Sequence, residues 1–362
     1  MKYDYAVVGG GPAGCFAALG AAARGDTILF EEHKKQPVHC AGLISSSGFK
    51  RLGVRPGHFV LNELKGARIY SPLGSVLEVR SKSVKAYAVD RSLFDGYLLD
   101  MTLSSGVSLE NVRIESITNS CLTSGAKQFK AGRKIIATGV DYNLHRRLGI
   151  NQPREFLVGA QYEMDVECDE DMVELHFTVP DFFAWVIPLK GRARVGLCTK
   201  GNPTPHLDSF IKHLKHEKRI RSSRILNKSY GIIPVFNPRM KTQYSDVSLV
   251  GDAAGQVKAT SGGGVVMGCT AAKHAWSSDY ERQWRKDIER ELKLHLAAYR
   301  FINKLSPKNL DCFFRITSRS KSVLEEHGDM DYASKTALAL ARNPKFALRF
   351  LFNTPSFLMD FL

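Results

Sequence analysis

A glycine-punctuated turn near the start of the chain constrains its fold more than any other feature. Residues 3–8 (YDYAVV) form a short apolar run of the buried-strand type and lead into Gly9-x-Gly11-x-x-Gly14. PAGCFAALGAAAR (12–24) is rich in small residues, as suits a helix lying close on a sheet. Gly25 ends it, and TILF (27–30) reads as a second buried strand. This is a βαβ unit. Gly9 permits the tight turn, Gly11 lets a pyrophosphate approach the backbone, and Gly14 lets helix and strand pack closely. The N–H groups and positive end of the helix then face the phosphates. Glu32 stands eighteen residues past Gly14, placed to accept hydrogen bonds from ribose hydroxyls, with Glu31 as the alternative. Glycine turns are common in ordinary α/β packing, but strand, turn, helix and acid together point to a dinucleotide.

A second element narrows the dinucleotide to FAD. VSLVG (247–251) is another buried strand, and it meets Gly251-Asp252-Ala253-Ala254-Gly255, followed by Ser261-Gly262-Gly263-Gly264. A carboxylate at such a strand end can bind a ribityl chain, and the glycine-rich helix start after it favours negative charge on a reduced flavin ring. An NAD dehydrogenase has no need of this second site. Between the two elements the pattern alternates: 66–90 and 155–236 read as antiparallel strands, interrupted by a basic helix near 206–219. A helix is expected over 91–104, a buried strand over 134–139, and helices from 280 to the end. The expected fold is α/β. A discontinuous Rossmann-like FAD-binding domain (1–65, 90–148, 240–280) carries an inserted, mostly antiparallel sheet domain (66–89, 149–239) and a C-terminal helical region (281–362).

Lys and Arg number 51 against 36 Asp and Glu, a formal charge of +15 that predicts an anionic partner or an acidic lipid surface. No concentrated basic stretch forms a nucleic-acid motif, so nucleic acid is not expected. The seven cysteines are scattered without a CxxC pair, which argues against disulfides, a zinc site or an iron–sulfur cluster. No leader and no run of spanning length is read, so the chain is expected to be cytoplasmic, with a peripheral position on the cytoplasmic membrane face as a second reading; a monomer is expected.

Together these segments resemble the p-hydroxybenzoate-hydroxylase-like flavoproteins and, within them, the geranylgeranyl reductase family. PVHCAGLIS (37–45) resembles the family's cysteine-containing stretch beside the flavin, and VDRSLFD (89–95) its arginine-bearing helix start. PDFFAWVIP (180–188) resembles its aromatic substrate motif, and YGIIP (230–234) a recurring strand of its substrate sheet. The resemblance implies that Ala13, Glu32, Cys40, Ala41, Arg91, Asp252, Gly264 and Val265 line FAD, with Gly262 and Gly263 beside them and Val112 near the adenine. It implies a substrate wall of Phe183, Trp185 and Pro188. It also implies an isoprenoid lipid whose carbon–carbon double bonds are saturated, with NADPH, ferredoxin or a reduced deazaflavin as external electron donor.

The aromatic motif departs from the family pattern, with Phe183 where Tyr is usual and Ile187 where Phe is usual. FFAWVIP also resembles a flavin-dependent halogenase motif whose first Trp is here Phe183, so a halogenase or monooxygenase on the same scaffold is the alternative. An electron-relay flavoprotein is a third reading. Cys40 reads either as a flavin contact or proton donor, or as a small buried hydrophobe. The aromatic stripe reads either as core or as the wall of an isoprenoid channel. Phe346, Phe350 and Leu351, then Phe357, Leu358, Phe361 and Leu362, recur at helical spacing with Lys345 and Arg349 interleaved. They suit a core-packing helix or one resting on an anionic membrane. No metal site is expected.

Overall fold

Five parallel strands carry the N-terminal fold, ordered Val247–Leu249, Lys127–Ile136, Lys2–Val8, Thr27–Phe30 and Ser108–Glu110. The computed structural model describes residues 2–33, 39–118 and 121–361; Pro37 and Val38 of the cysteine stretch and Leu362 of the tail lie outside them. Lys2–Val8 lies at the centre of the sheet, between Lys127–Ile136 and Thr27–Phe30, with both faces covered. Its second half is therefore a continuous apolar run rather than an alternating one. The helix Pro12–Ala22 lies on one face, buried through Cys15, Phe16, Ala17, Ala18 and Ala21, and the helix Val265–Ala272 packs beside it through Gly268, Ala271 and Ala272. Small residues at both surfaces let the two backbones approach. A β-carbon on Gly20 would sit 2.7 Å from the Lys273 carbonyl oxygen.

A second sheet has seven strands in the order Ile220–Pro234, Phe156–Val166, Ala193–Thr199, Ala184–Pro188, Met172–His176, Gly66–Tyr70 and Val76–Arg80. All neighbours are antiparallel except Met172–His176 with Gly66–Tyr70, which run parallel, so the sheet is mostly antiparallel as expected. Ala184–Pro188 is buried at every position because both faces are covered. Ala184 and Val186 meet Leu207, Phe210 and Leu214 of the helix Thr204–His216, while Trp185 and Ile187 belong to the main core.

The strand expected near 85–90 does not join this sheet. Ala86–Val89 pairs with Leu43–Ser45 and Val60–Leu64 in a separate three-stranded sheet. A short helix, Ser46–Leu52, follows directly, capped by the Ser45 hydroxyl accepting from the Gly48 N–H. Arg91–Ser104 is helical as expected, with Asp90 as its cap. From Tyr280 onward the described chain is helical, ending in Pro307–Ser318, Lys321–His327, Ala333–Arg342 and Pro344–Met359. No described helix is long and apolar enough to cross a membrane.

Among the described glycines an added β-carbon would have least room at the first turn, where on Gly14 it would sit 1.8 Å from the Gly9 carbonyl oxygen. Gly14→Ala should therefore lower stability by at least about 1–3 kcal/mol, the range for forced overpacking. Urea unfolding followed by circular dichroism measures this; an unchanged midpoint would show that helix and turn separate freely.

Candidate active site

The three glycines of the first turn are required for different reasons. Gly9 sits at φ +108°, where a β-carbon would also strike the Ala137 carbonyl oxygen at 2.3 Å, and Gly14 is confined as described. Gly11 has no heavy atom within 4 Å of its β-carbon position, so the fold alone does not demand glycine there. The open space lies just before Pro12, which starts the first helix, in the position where a pyrophosphate meets a helix N-terminus.

The carboxylate over this turn is Glu31 and not Glu32. Glu31 is buried, its Oε2 accepts from the Gly10 N–H at 2.7 Å, and its Oε1 accepts from the His33 N–H at 2.8 Å. Glu32 faces solvent, 3.4 Å from the Arg113 guanidinium. Strand alternation explains the one-residue correction, because adjacent side chains at a strand end point to opposite sides. Val112 packs on the apolar cluster at this edge of the sheet and does not reach the central cavity.

That cavity, of about 1360 Å³, separates the first sheet from the second. Gly11, Ala13, Cys40, Ala41, Arg91, Asp252, Gly262, Gly263, Gly264 and Val265 line one side, and Phe183 and Trp185 line the other. Gly9, Gly14, Glu31, Glu32, Val112 and Pro188 lie outside its walls. Pro188 is instead buried at its strand end, with its carbonyl accepting from Asn62 Nδ2 at 3.1 Å. Ile187 takes the place in the wall expected of Pro188, in phase with Phe183 and Trp185. Trp185 is held by its Nε1–H donating to Gln161 Oε1 at 3.0 Å and by Gly196 on the next strand, where a β-carbon would come within 2.6 Å of the indole. Phe182 stacks on Phe183 at 4.2 Å, and Ile69, Val173, Leu175, Phe177 and Phe314 extend the apolar surface.

Polar groups concentrate on the glycine side. The Asp252 carboxyl accepts no hydrogen bond from the described residues; burial raises its pKa, and the Arg91 charge opposes that rise only in part. It needs donors, and it stands 2.7 Å from the β-carbon position of Gly264 at the rim of the cavity. Arg91 pairs with Asp95 through two bonds of 2.9 and 3.0 Å. Burial works against its charge, yet Cys40 and Asp95 beside it hold the guanidinium firmly protonated. Cys40 and Cys198 both line the cavity, but burial pushes the Cys198 thiol up to about 12, which leaves it a packing group. Open space before a helix N-terminus, a buried carboxylate against the first turn and a carboxyl without donors beside a glycine-rich turn fit a bound FAD.

Comparison with known proteins agrees with this geometry. No family model matches the chain. The digeranylgeranylglycerophospholipid reductase of Methanocaldococcus jannaschii is 30% identical over 349 residues, covering 85% of this chain and 89% of that protein. The chain belongs to the geranylgeranyl reductase family. Digeranylgeranylglycerophospholipid reductase 2 of Methanothermobacter thermautotrophicus is 29% identical over 359 residues, 87% of this chain and 91% of that one. The fold matches the crystal structure of a geranylgeranyl bacteriochlorophyll reductase-like protein from Thermoplasma acidophilum, with TM-score 0.81 over 97% of this chain and 98% of that chain, at 22% identity.

Two groups that hold this reductase-family site together escape sequence reasoning. Arg194 is buried, and its Nη1 donates to the carbonyls of Ala41 at 2.9 Å and Val89 at 3.0 Å, fixing the loop that carries Cys40 to the second sheet. Lys258 is buried between the two glycine segments, where it pairs with Asp331 and donates to the Met330 carbonyl at 2.9 Å. Asp331 also accepts from the Ser45 hydroxyl, so one carboxylate joins the glycine loop, the three-stranded sheet and the C-terminal helices. A lone lysine in a stretch of small residues was a usable signal for Lys258. Nothing local marks Asp331.

His295 adjoins this pair, with Nδ1 2.6 Å from Thr260 Oγ1. Burial and then the Lys258 charge push its pKa from 6.5 down to about 4. The unfolded chain takes up a proton at the ordinary value while the folded chain stays neutral. Stability therefore falls as pH drops from 6.5 to about 4, by up to about 1.4 kcal/mol per unit. His295→Gln should remove that part of the slope. Urea midpoints for both proteins across this range measure it, and parallel curves would refute the assignment.

Proposed function

We propose that the chain is an FAD-dependent reductase that saturates carbon–carbon double bonds of a geranylgeranyl or similar polyprenyl chain in a membrane-lipid precursor. The observation that carries this reading is the single cavity that joins the glycine cradle to a long wall of aromatic and aliphatic side chains. Its volume of about 1360 Å³ exceeds the roughly 300–1,000 Å³ usual for small-molecule pockets, as a cofactor ring together with an extended hydrocarbon requires.

FAD, when bound and reduced, supplies hydride to one alkene carbon. The helix start after Gly11 would hold the pyrophosphate, Glu31 the adenosine ribose and Asp252 the ribityl hydroxyls. The start of the helix Val265–Ala272, with its free backbone N–H groups, would favour negative charge on the reduced ring. Phe183, Trp185 and Ile187 hold the alkene flat and exclude water. An unactivated alkene develops no oxyanion for the protein to stabilise, so orientation in a dry site supplies most of the acceleration. The second carbon needs a proton. Cys40 Sγ, exposed to the cavity beside Arg91 and within 3.3 Å of the Gly42 N–H, is its source in this reading.

Three experiments test the proposal. Gly11→Ala should leave the unfolding midpoint of the flavin-free protein within about 0.5 kcal/mol of wild type, because its β-carbon meets nothing. It should weaken flavin binding at least about tenfold, read by quenching of flavin fluorescence; unchanged affinity would remove the cradle assignment. Dithionite-reduced protein incubated anaerobically with a geranylgeranyl lipid should yield products heavier by two hydrogens per reduced bond. Recovery of every double bond intact would end the reductase reading. Cys40→Ser should slow turnover about 10²-fold or more, as loss of a general acid does, while flavin affinity stays unchanged.

A further inference from the structure

The last described helix, Pro344–Met359, is apolar on both sides. Phe346, Phe350 and Phe357 turn inward onto Phe301 and Phe313, with ring centroids 5.6–6.5 Å apart where they meet one another and these partners. These rings make Phe346 and Phe357 buried and account for one face completely. The opposite face carries Leu348, Leu351, Phe352, Leu358 and Met359, exposed by 58%, 66%, 77%, 57% and 68%. At 3.6 residues per turn they fall within about a third of the circumference. An apolar helix face of this width is normally covered.

The geometry points to an anionic lipid bilayer as what covers this face, and we propose that the protein docks on the membrane surface through it. Charge supports the choice of partner: from 332 to 359 the chain contains Lys335, Arg342, Lys345 and Arg349 and not one Asp or Glu. The whole chain carries +15. Lys304 lies over the ring of Phe361 at 5.3 Å, so another cation flanks the apolar stripe. A basic rim around an apolar face is the pattern of a helix lying in a bilayer interface, and 16 residues with these charges do not span one.

The position of the face gives it a purpose. A cleft of about 650 Å³ begins at Leu338, Arg342 and Pro344, where the two last helices meet, and shares Lys85, Gly328 and Asp329 with the rim of the main cavity. Ile302, Phe313 and Phe314 line that cavity from the same helices on which the inward rings sit. The docked face thus lies beside a route from the bilayer to the aromatic wall. The docking deepens the lipid-reductase reading, but vesicle binding needs no turnover and is measured independently of it.

The flavin-loaded protein should sediment with vesicles of phosphatidylcholine containing phosphatidylglycerol, and about tenfold less with phosphatidylcholine alone or at high salt. The double substitution Leu351→Glu with Phe352→Glu should abolish sedimentation while circular dichroism stays native, since both side chains face solvent. A single Phe352→Trp should show blue-shifted emission on adding the anionic vesicles. Failure of wild type to sediment, sedimentation of the double variant at the wild-type level, or unshifted emission would each overturn the proposal. A wild-type dimer by light scattering that the double substitution splits, without vesicle binding in either protein, would assign the face to self-association instead.

Discussion

The buried ion pair of Lys258 and Asp331 is the interaction on which the cavity depends. Its two ends come from parts of the chain that fold by different rules. Lys258 sits between the Asp252 turn and Gly262, and Asp331 lies in the connection between two C-terminal helices. Both charges are withdrawn from water, so the pair holds only because each is further satisfied, Lys258 by the Met330 carbonyl and Asp331 by Ser45. Removing either partner strands a buried charge, at a cost of about 3–5 kcal/mol, whereas an apolar pair of equal volume would be close to neutral. The pair is therefore better understood as a device of registration than of net stability. It fixes the glycine loop, the sheet bearing the Cys40 loop and the helical roof at one mutual spacing.

That spacing makes a site out of elements that are individually ordinary. Gly262 at φ +65° lies against Ile233 of the second sheet, and Gly263 lies against the Lys258 side chain itself. Arg194 performs the corresponding task on the other side, tying the Cys40 loop to the strand next to Trp185. The cavity is thus clamped at two corners by buried cations whose donors are used on backbone carbonyls and carboxylates. Neither Arg194 nor Lys258 lines the cavity, so the distance from the aromatic wall to the glycine turns is set without adding a charge to that wall.

How much of this was legible depended on whether the determinant was local. The βαβ unit, the Asp252 turn and the helix Arg91–Ser104 were readable because each is fixed within a dozen or two consecutive residues by period, caps and glycines. The choice between Glu31 and Glu32 was not, because both end the same strand and only the position of the Gly10 N–H decides. Pro188 belonged to the right motif but not to the cavity, since the strand turns its carbonyl to Asn62. The strand Ala86–Val89 had the expected alternation, yet pairing depends on which edge Leu43–Ser45 offers, and no local signal carries that. Arg194 and Asp331 act across separations of 153 and 286 residues, where a single sequence has nothing to say.

The division between local and distant determinants also explains why the cofactor half of the site reads more clearly than the substrate half. A pyrophosphate and a ribityl chain are recognised by backbone N–H groups and one or two carboxylates, and these impose strict spacing on glycines and acids. A polyprenyl chain offers no polar atom along its length, so any wall of sufficient width and dryness accepts it. Phe183 in place of a tyrosine removes a hydroxyl without altering that wall, because the Trp185 indole keeps its own partner in Gln161 and the ring stack with Phe182 is intact. Selectivity for an apolar chain of this kind must then come from its length and from its polar end. The cleft beside the main cavity offers such an end Lys85, Lys335 and Arg342, set among Glu326 and Asp329, where the aromatic strand offers it no charge.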